Sequence, residues 1–265
     1  MTKFRLIFAF AGAFLAALGL GLANASAADV GSCEAMLRHT GRPVYRIAEP
    51  DHDVLCRKGY VLAHNAERKV ADWVLEELTA ERLVGPADRR RARFLGDPDV
   101  GARGAAPGDY RGFPYHRGHL AAAEDMKWSQ EAMVESFYMT NVAPQVGRGF
   151  NTGVWKSLEA RMRRWAARRE RLIVITGPIY GPASRGIGPA GDIAVPEAFF
   201  KIAYDPDRKH AIAFLLPNQS GSAKYLAERI VAIREIEDLT GLDFLTALSR
   251  RDQNRIETIR WPMWR

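Results

Sequence analysis

The chain has 265 residues, 47% of them hydrophobic and 26% charged, with 38 Lys+Arg against 31 Asp+Glu for a formal net charge of +7. That length sustains one large domain with a proper core, and no internal repeat or second domain is visible in it. The positive excess suits a polyanionic partner, although charge alone is weak evidence, and two cysteines without a histidine cluster beside them are too few for a metal cage.

Lys3 and Arg5, an uncharged apolar run from Leu6 to Leu22, and Ala25-Ser26-Ala27 have the pattern of a secretory signal with its cleavage site, so residues 1–27 are expected to be removed. The rival is a membrane anchor, for which the run is slightly short. Removal takes away two basic residues and no acidic one, so the net charge falls to +5. What remains, 28–265, is expected to be a single domain in the periplasm or outside the cell, without stable membrane association. In such an oxidising compartment Cys33 and Cys56 should be joined. A loop of that length stabilises by roughly 3 kcal/mol in the chain-entropy picture.

Tyr60 to His64 and Lys69 to Glu76 read as two strands across a turn, with His64 a strand residue of no catalytic role. From Gly85 to Gly112 the chain is rich in Gly, Pro, Asp and Arg, the composition of a long surface loop. Its run Asp88-Arg89-Arg90-Arg91-Ala92-Arg93 is either a solvated charge run or a phosphate clamp.

Tyr115 to Glu159 carries the chemistry. His116-Arg117-Gly118-His119 comes first; Gly118 would let the backbone turn tightly, so that His119 projects from an extended segment. A neutral imidazole there can take a proton from water. Trp128 to Phe137 has helical spacing with Ser129 as N-cap, and Met139 to Val142 alternates like a strand ended by Pro144. Within that strand Asn141 could hydrogen-bond a hydrated metal, hold the next loop, or serve only as a turn-former. Asn151 is placed to cap an amphipathic helix whose stripe is Val154, Trp155, Leu158, Met162 and Trp165. Glu159 would then stand about 12 Å along the helix and roughly 80° around it. That spacing disfavours direct ligation of one ion by both. Arg161, Arg163, Arg164, Arg168, Arg169 and Arg171 follow; the helix dipole explains part of this cluster, and the rest could line a groove for nucleic-acid backbone. Leu172 to Ile175, Phe199 to Tyr204 and His210 to Leu216 read as strands, Tyr225 to Leu239 as a helix, and the tail after Asp252 as irregular.

The order Arg117-Gly118-His119, Ser136-Phe137-Tyr138, Asn141, Ala143-Pro144-Gln145, Asn151, Trp155, Leu158 and Glu159 resembles the DNA/RNA non-specific endonucleases of the ββα-metal superfamily. Thr176-Gly177-Pro178, Val195-Pro196, Phe199-Phe200-Lys201 and Leu216-Pro217-Asn218 extend the likeness over most of the chain. His116 departs from it, standing where the family generally has Asp. The resemblance implies a mixed α/β fold, a central, mainly antiparallel sheet flanked by helices around a ββα-metal nuclease core. It implies hydrolysis of DNA and RNA, with His119 as general base and Asn151 as ligand of one magnesium ion, for which manganese can substitute. Glu159 and Asn141 would organise the metal's water shell. Arg117 and a loop arginine, Arg91 or Arg93, would hold phosphate, with Arg148 and His116 as further substrate-binding candidates. His116 either orients His119 or a water, or weakens the site. The rival readings are a nucleic-acid-binding protein of the same fold that no longer cuts, and a phosphodiesterase for small esters. Family members are often dimers, which leaves a homodimer open.

Overall fold

The structure is a computed structural model that describes residues 33–48, 50–182 and 184–265, so the expected leader lies outside the described residues. Its strands, in chain order, are Val44–Tyr45 (β1), His52–Cys56 (β2), Tyr60–Asn65 (β3), Val70–Thr79 (β4), Tyr115–His119 (β5), Val142–Val146 (β6), Arg171–Ile179 (β7), Gly186–Ile187 (β8), Ile193–Ala194 (β9), Ala198–Asp205 (β10), His210–Pro217 (β11), Ile230–Val231 (β12) and Leu242–Asp243 (β13). The helices that matter below are Gln130–Glu135 (α1), Lys156–Arg169 (α2), Ile233–Thr240 (α3) and Arg250–Glu257 (α4).

Runs such as Arg171–Ile179 are apolar almost throughout because the central sheet is covered on both faces. Seven strands lie in the order β12-β11-β10-β7-β4-β3-β2, each antiparallel to its neighbour. Alternation along each strand sorts the side chains. Val74, Val174, Phe199 and Ala203 pack on one face beneath α2, with Trp155, Leu158 and Trp165. Leu75, Ile173, Ile175, Phe200 and Ile202 pack on the other, against Ile233 and Ile236 of α3 and Ile256 of α4. Cys33 and Cys56 are joined, with Cα atoms 5.8 Å apart, which ties the start of the described chain to β2 at one sheet edge. Among the described residues no helix is long and apolar enough to cross a membrane.

Beside the sheet, β5 and β6 form a separate antiparallel ribbon, and α2 follows it, which makes the ββα unit. Pro144 does not end a strand; it sits inside β6 opposite Arg117. A two-stranded ribbon leaves one side of each strand outside the ladder, where a residue without an N–H is tolerated. Met139–Asn141, expected as strand, is instead a 3-10 turn leading into β6. Asn218 anchors the ribbon's end, donating from Nδ2 to the Pro144 carbonyl at 3.0 Å and accepting from the Val146 N–H at 2.9 Å.

Two expectations for the last third are corrected. Tyr225–Leu239 is not one helix: a 3-10 segment, Ala223–Arg229, gives way to β12, which pairs with β11 at the sheet edge before α3 begins. Ile230 and Val231, both β-branched, complete that edge better than they continue a helix. The tail after Asp252 is irregular only from Thr258 on: α4 runs to Glu257, because Ser249 caps it by accepting from the Asp252 N–H and Ile256 is buried.

Candidate active site

Strand β5 delivers its side chains alternately. Arg117 and His119 share one side, and both meet Phe94, with the Arg117 guanidinium 4.5 Å from that ring's centroid and the imidazole 5.2 Å. Phe137 meets the imidazole edge-on at 4.7 Å. His116, three residues from His119, projects to the other side of the strand and lies over Gly147, where even an added Cβ would come within 2.2 Å of its Nε2. Gly118 makes no turn. It lies inside β5, and its missing Cβ leaves room for the buried Gln145 side chain, which would otherwise stand 2.2 Å away.

The loop from Gly85 to Gly112 is built of short 3-10 turns and is not wholly superficial, since Asp97, Val100 and Tyr110 are buried. Asp97 accepts from Arg57 Nη2 and Thr140 Oγ1, both at 2.5 Å. This pins Phe94 beside β5. The arginine run folds as a 3-10 turn over Arg89–Arg91, with Asp88 as its cap. Such a turn fans successive side chains by about 120°. Only Arg89 of the run lines the cleft, with its guanidinium 5.5 Å from the Phe137 ring, while Arg90 returns to Asp88, and Arg91 and Arg93 are exposed outside it. The run was legible in sequence, but which member turns inward was not.

Asn151 does not cap a helix. It lies in a wide turn, Gly147–Trp155, kinked at Gly149 (φ 85°) and Gly153 (φ −117°, ψ −109°), and α2 starts only at Lys156. The continuous-helix spacing between Asn151 and Glu159 therefore does not hold, and both line the same part of the cleft. Its wider lobe, about 580 Å³, runs along Arg89, Phe94, Arg111, His116, Arg117 and His119. A deeper one, about 180 Å³, reaches Lys156, Glu159 and Arg163. Arg89, His119, Asn151 and Thr152 line both lobes and mark their junction.

Burial, reinforced by Arg89, pushes His119 down to about 3, so the imidazole is neutral through the physiological range, and its Nε2 has no hydrogen-bond partner among the described residues. Burial raises Glu159 to about 7 against the pull of Lys201, with Asp125 pushing the same way as burial. Arg163, one turn after Glu159 on α2, donates to Asp125 at 2.8 Å. The Asn151 amide makes no hydrogen bond to another described residue, and Asn151 lines the cleft together with His119 and Glu159. Those residues fit a hydrated divalent cation. Asn141 is placed otherwise: its Oδ1 accepts from the Ala121 N–H at 2.9 Å, and its Nδ2 donates to the carbonyls of Ala121 at 2.9 Å and Ser136 at 2.8 Å. Fully spent on backbone, it holds the turn that leaves His119.

The arginine cluster divides along α2 and the first residue of β7. Arg169 donates to Asp205 at 2.8 Å over the Trp264 ring, and Arg171 pairs with Glu77 at 3.0 Å. Arg164 and Arg168 are exposed, and Arg163 alone of the six lines the cleft. There is no six-residue cationic track, because consecutive helix positions point about 100° apart. Arg148 is exposed beyond the cleft lining, its carbonyl accepting from Ser220 Oγ at 2.9 Å. Arg111 and Lys156 line the cleft without having been singled out in the sequence, where nothing distinguishes them from other basic residues.

A family model described as DNA/RNA non-specific endonuclease matches residues 44–251. Nuclease C1 of Cunninghamella echinulata var. echinulata is 36% identical over 211 residues, covering 74% of this chain and 84% of its own. Mitochondrial Endonuclease G of Homo sapiens is 36% identical over 209 residues, covering 74% of this chain and 70% of its own. Among solved structures, EndoG in the EndoG/EndoGI complex superposes with a TM-score of 0.74 at 31% identity, covering 83% of this chain and 93% of that one. The mixed α/β, mainly antiparallel ββα-metal fold read from the sequence agrees with that likeness. The periplasmic or secreted location does not: the human relative and those of Schizosaccharomyces pombe and Saccharomyces cerevisiae are mitochondrial. A basic start without acidic residues is common to secretory and mitochondrial leaders, so residues 1–27 carried no unique address. With the family model spanning most of its length and relatives aligned over most of both chains, this chain belongs to the DNA/RNA non-specific endonuclease family.

Proposed function

We propose that this endonuclease hydrolyses phosphodiesters of both DNA and RNA with His119 as general base and one divalent cation, magnesium or in its place manganese, held by Asn151. The observation that carries the reading is the junction of the cleft, where a neutral imidazole, an unpaired amide oxygen and a cationic Arg89 face one space. His119 takes a proton from a water that attacks phosphorus in line. Its ring lines the cleft, and no hydrogen bond to another described residue commits its Nε2. A cation bound at Asn151 would supply Lewis-acid charge against the negative charge that develops on the phosphate and leaving oxygen. Glu159, held near neutrality, organises water beside the leaving group and can pass it a proton. Arg89 and Arg117, each laid on a phenylalanine ring, hold phosphate oxygens, and His116 stands at the cleft's rim.

Digestion of plasmid DNA and total RNA in magnesium and in chelator tests the reading. Cleavage of both polymers that disappears with chelator is expected; cleavage that persists without metal removes the role given to Asn151. Intact but retarded nucleic acid in every lane would instead indicate a binding protein. Arginine placement gives a second expectation. Arg89→Ala should lower kcat/KM about 10- to 100-fold, the range for losing a charge-assisted hydrogen bond. Arg91→Ala should stay within about twofold, as an exposed charge screened by salt. Steady-state rates on one duplex substrate compare the two.

A further inference from the structure

Alternation in the central sheet places Glu76 of β4, Thr176 of β7 and Lys201 of β10 on the face that α2 covers. Val74 and Lys201 both stand opposite Thr176 in the ladders, and Glu76 stands opposite Val174. Each belongs to a strand position that apolar residues occupy two steps away. Lys201 is 1% exposed, so its ammonium is among the most expensive groups in the protein to bury. Its Nζ donates to Thr176 Oγ1 at 2.6 Å and to the Leu120 carbonyl at 3.3 Å, and it lies 4.8 Å from the centroid of the Trp155 ring. Leu120 directly follows His119. Its N–H donates to the Asn141 carbonyl at 2.9 Å, so Asn141 holds the turn from one side and Lys201 from the sheet below.

Charge points the same way. Burial pulls Lys201 down from its ordinary value, and the carboxylates of Glu159, Glu76 and Asp125 oppose that pull, Glu159 most strongly. Lys201 is in turn the strongest of the charges holding Glu159 down. Glu76 Oε2 is buried without a hydrogen-bond partner, so Lys201 acts on it by charge and spends its own hydrogen bonds on Thr176 and Leu120. A fold that needed only volume at this point would be served by methionine or leucine.

We propose that Lys201 is a positioning residue of the active site, fixing through the Leu120 carbonyl the backbone that carries His119. This rests on the role given above to His119. Lys201 does not touch the substrate. Its removal should therefore leave substrate binding intact and slow the chemical step.

The test uses the full chain. Lys201→Met alone would leave Glu76 buried without its cation, so the substitution is made in a Glu76→Gln background, which removes one charge of each sign. Glu76→Gln itself should cleave plasmid DNA; if it and the wild type do not, the nuclease reading has failed and not this one. Relative to Glu76→Gln, the double variant should show kcat lower by about 10²-fold, the cost of a small misplacement of a reacting group, with KM unchanged and the same far-UV circular dichroism. A folded double variant with unchanged kcat, or with a change in KM alone, would overturn the proposal.

Discussion

A His119→Ala protein is expected to retain plasmid DNA and total RNA in a mobility-shift assay as the wild type does, and to cleave both about 10³-fold more slowly, within the range for losing a general base. The imidazole sits between Phe94 and Phe137 with its Nε2 free and Arg89 close by, so it is neutral wherever the protein is assayed. Truncation removes a ring from an aromatic pocket but breaks no recorded hydrogen bond of that nitrogen. Binding depends on Arg89 and Arg117, which remain. Single-turnover rates with enzyme in excess separate the chemical step from binding. Unchanged cleavage by His119→Ala would move the base elsewhere in the cleft, and the exposed His116, at the rim of the wider lobe, would be the next residue to replace.

Glu159→Gln should have two effects of opposite sign. Cleavage should fall by about 10²-fold, since the amide can no longer hold or pass a proton beside the leaving group. Stability in chelator at pH 8 should rise, by up to about 3 kcal/mol if the whole shift is realised. Folding raises the Glu159 carboxyl from its ordinary 4.5 to about 7. A group with a raised folded value gives stability that is fully present below about pH 4.5 and is lost as the pH rises through about 7. The wild type loses it; the glutamine variant has none to lose. The two unfolding curves should therefore coincide near pH 4 and diverge by pH 8. His119 acts in the reverse direction, with stability lost as the pH falls from its ordinary 6.5 toward about 3, but it is present in both proteins and cancels in the difference. Urea unfolding at three pH values checks this, and a glutamine variant less stable at pH 8 would mean that Lys201 and Arg163 need the carboxylate more than burial disfavours it.

Much of the fold was legible because its signals are local. Apolar alternation located β3, β4, β7, β10 and β11 to within a few residues, and Ser129 capped a helix as its side chain predicts. The order of polar residues from Arg117 to Glu159 pointed to the family, and His119, Asn151 and Glu159 do meet in one part of the cleft. Where a signal depends on what lies across the chain, the sequence misled. Ile230 and Val231 read as helix until β11 offered an edge, and Pro144 read as a strand end until the ribbon left it an unpaired side.

The sequence by itself determined the element types, the family and the set of side chains available for chemistry, since these rest on periodicity and order along the chain. Tertiary structure decided which of them face the cleft. The kinks at Gly149 and Gly153 carry Asn151 out of helical register and beside Glu159, the 3-10 turn after Asp88 selects Arg89 over Arg91, and backbone partners claim both ends of the Asn141 amide. Lys201 shows the limit most plainly. Its place under the site exists only because β4, β7 and β10 pair in one register and set Glu76, Thr176 and Lys201 on the face that α2 closes, a relation among residues 25 to 125 positions apart that no local pattern contains.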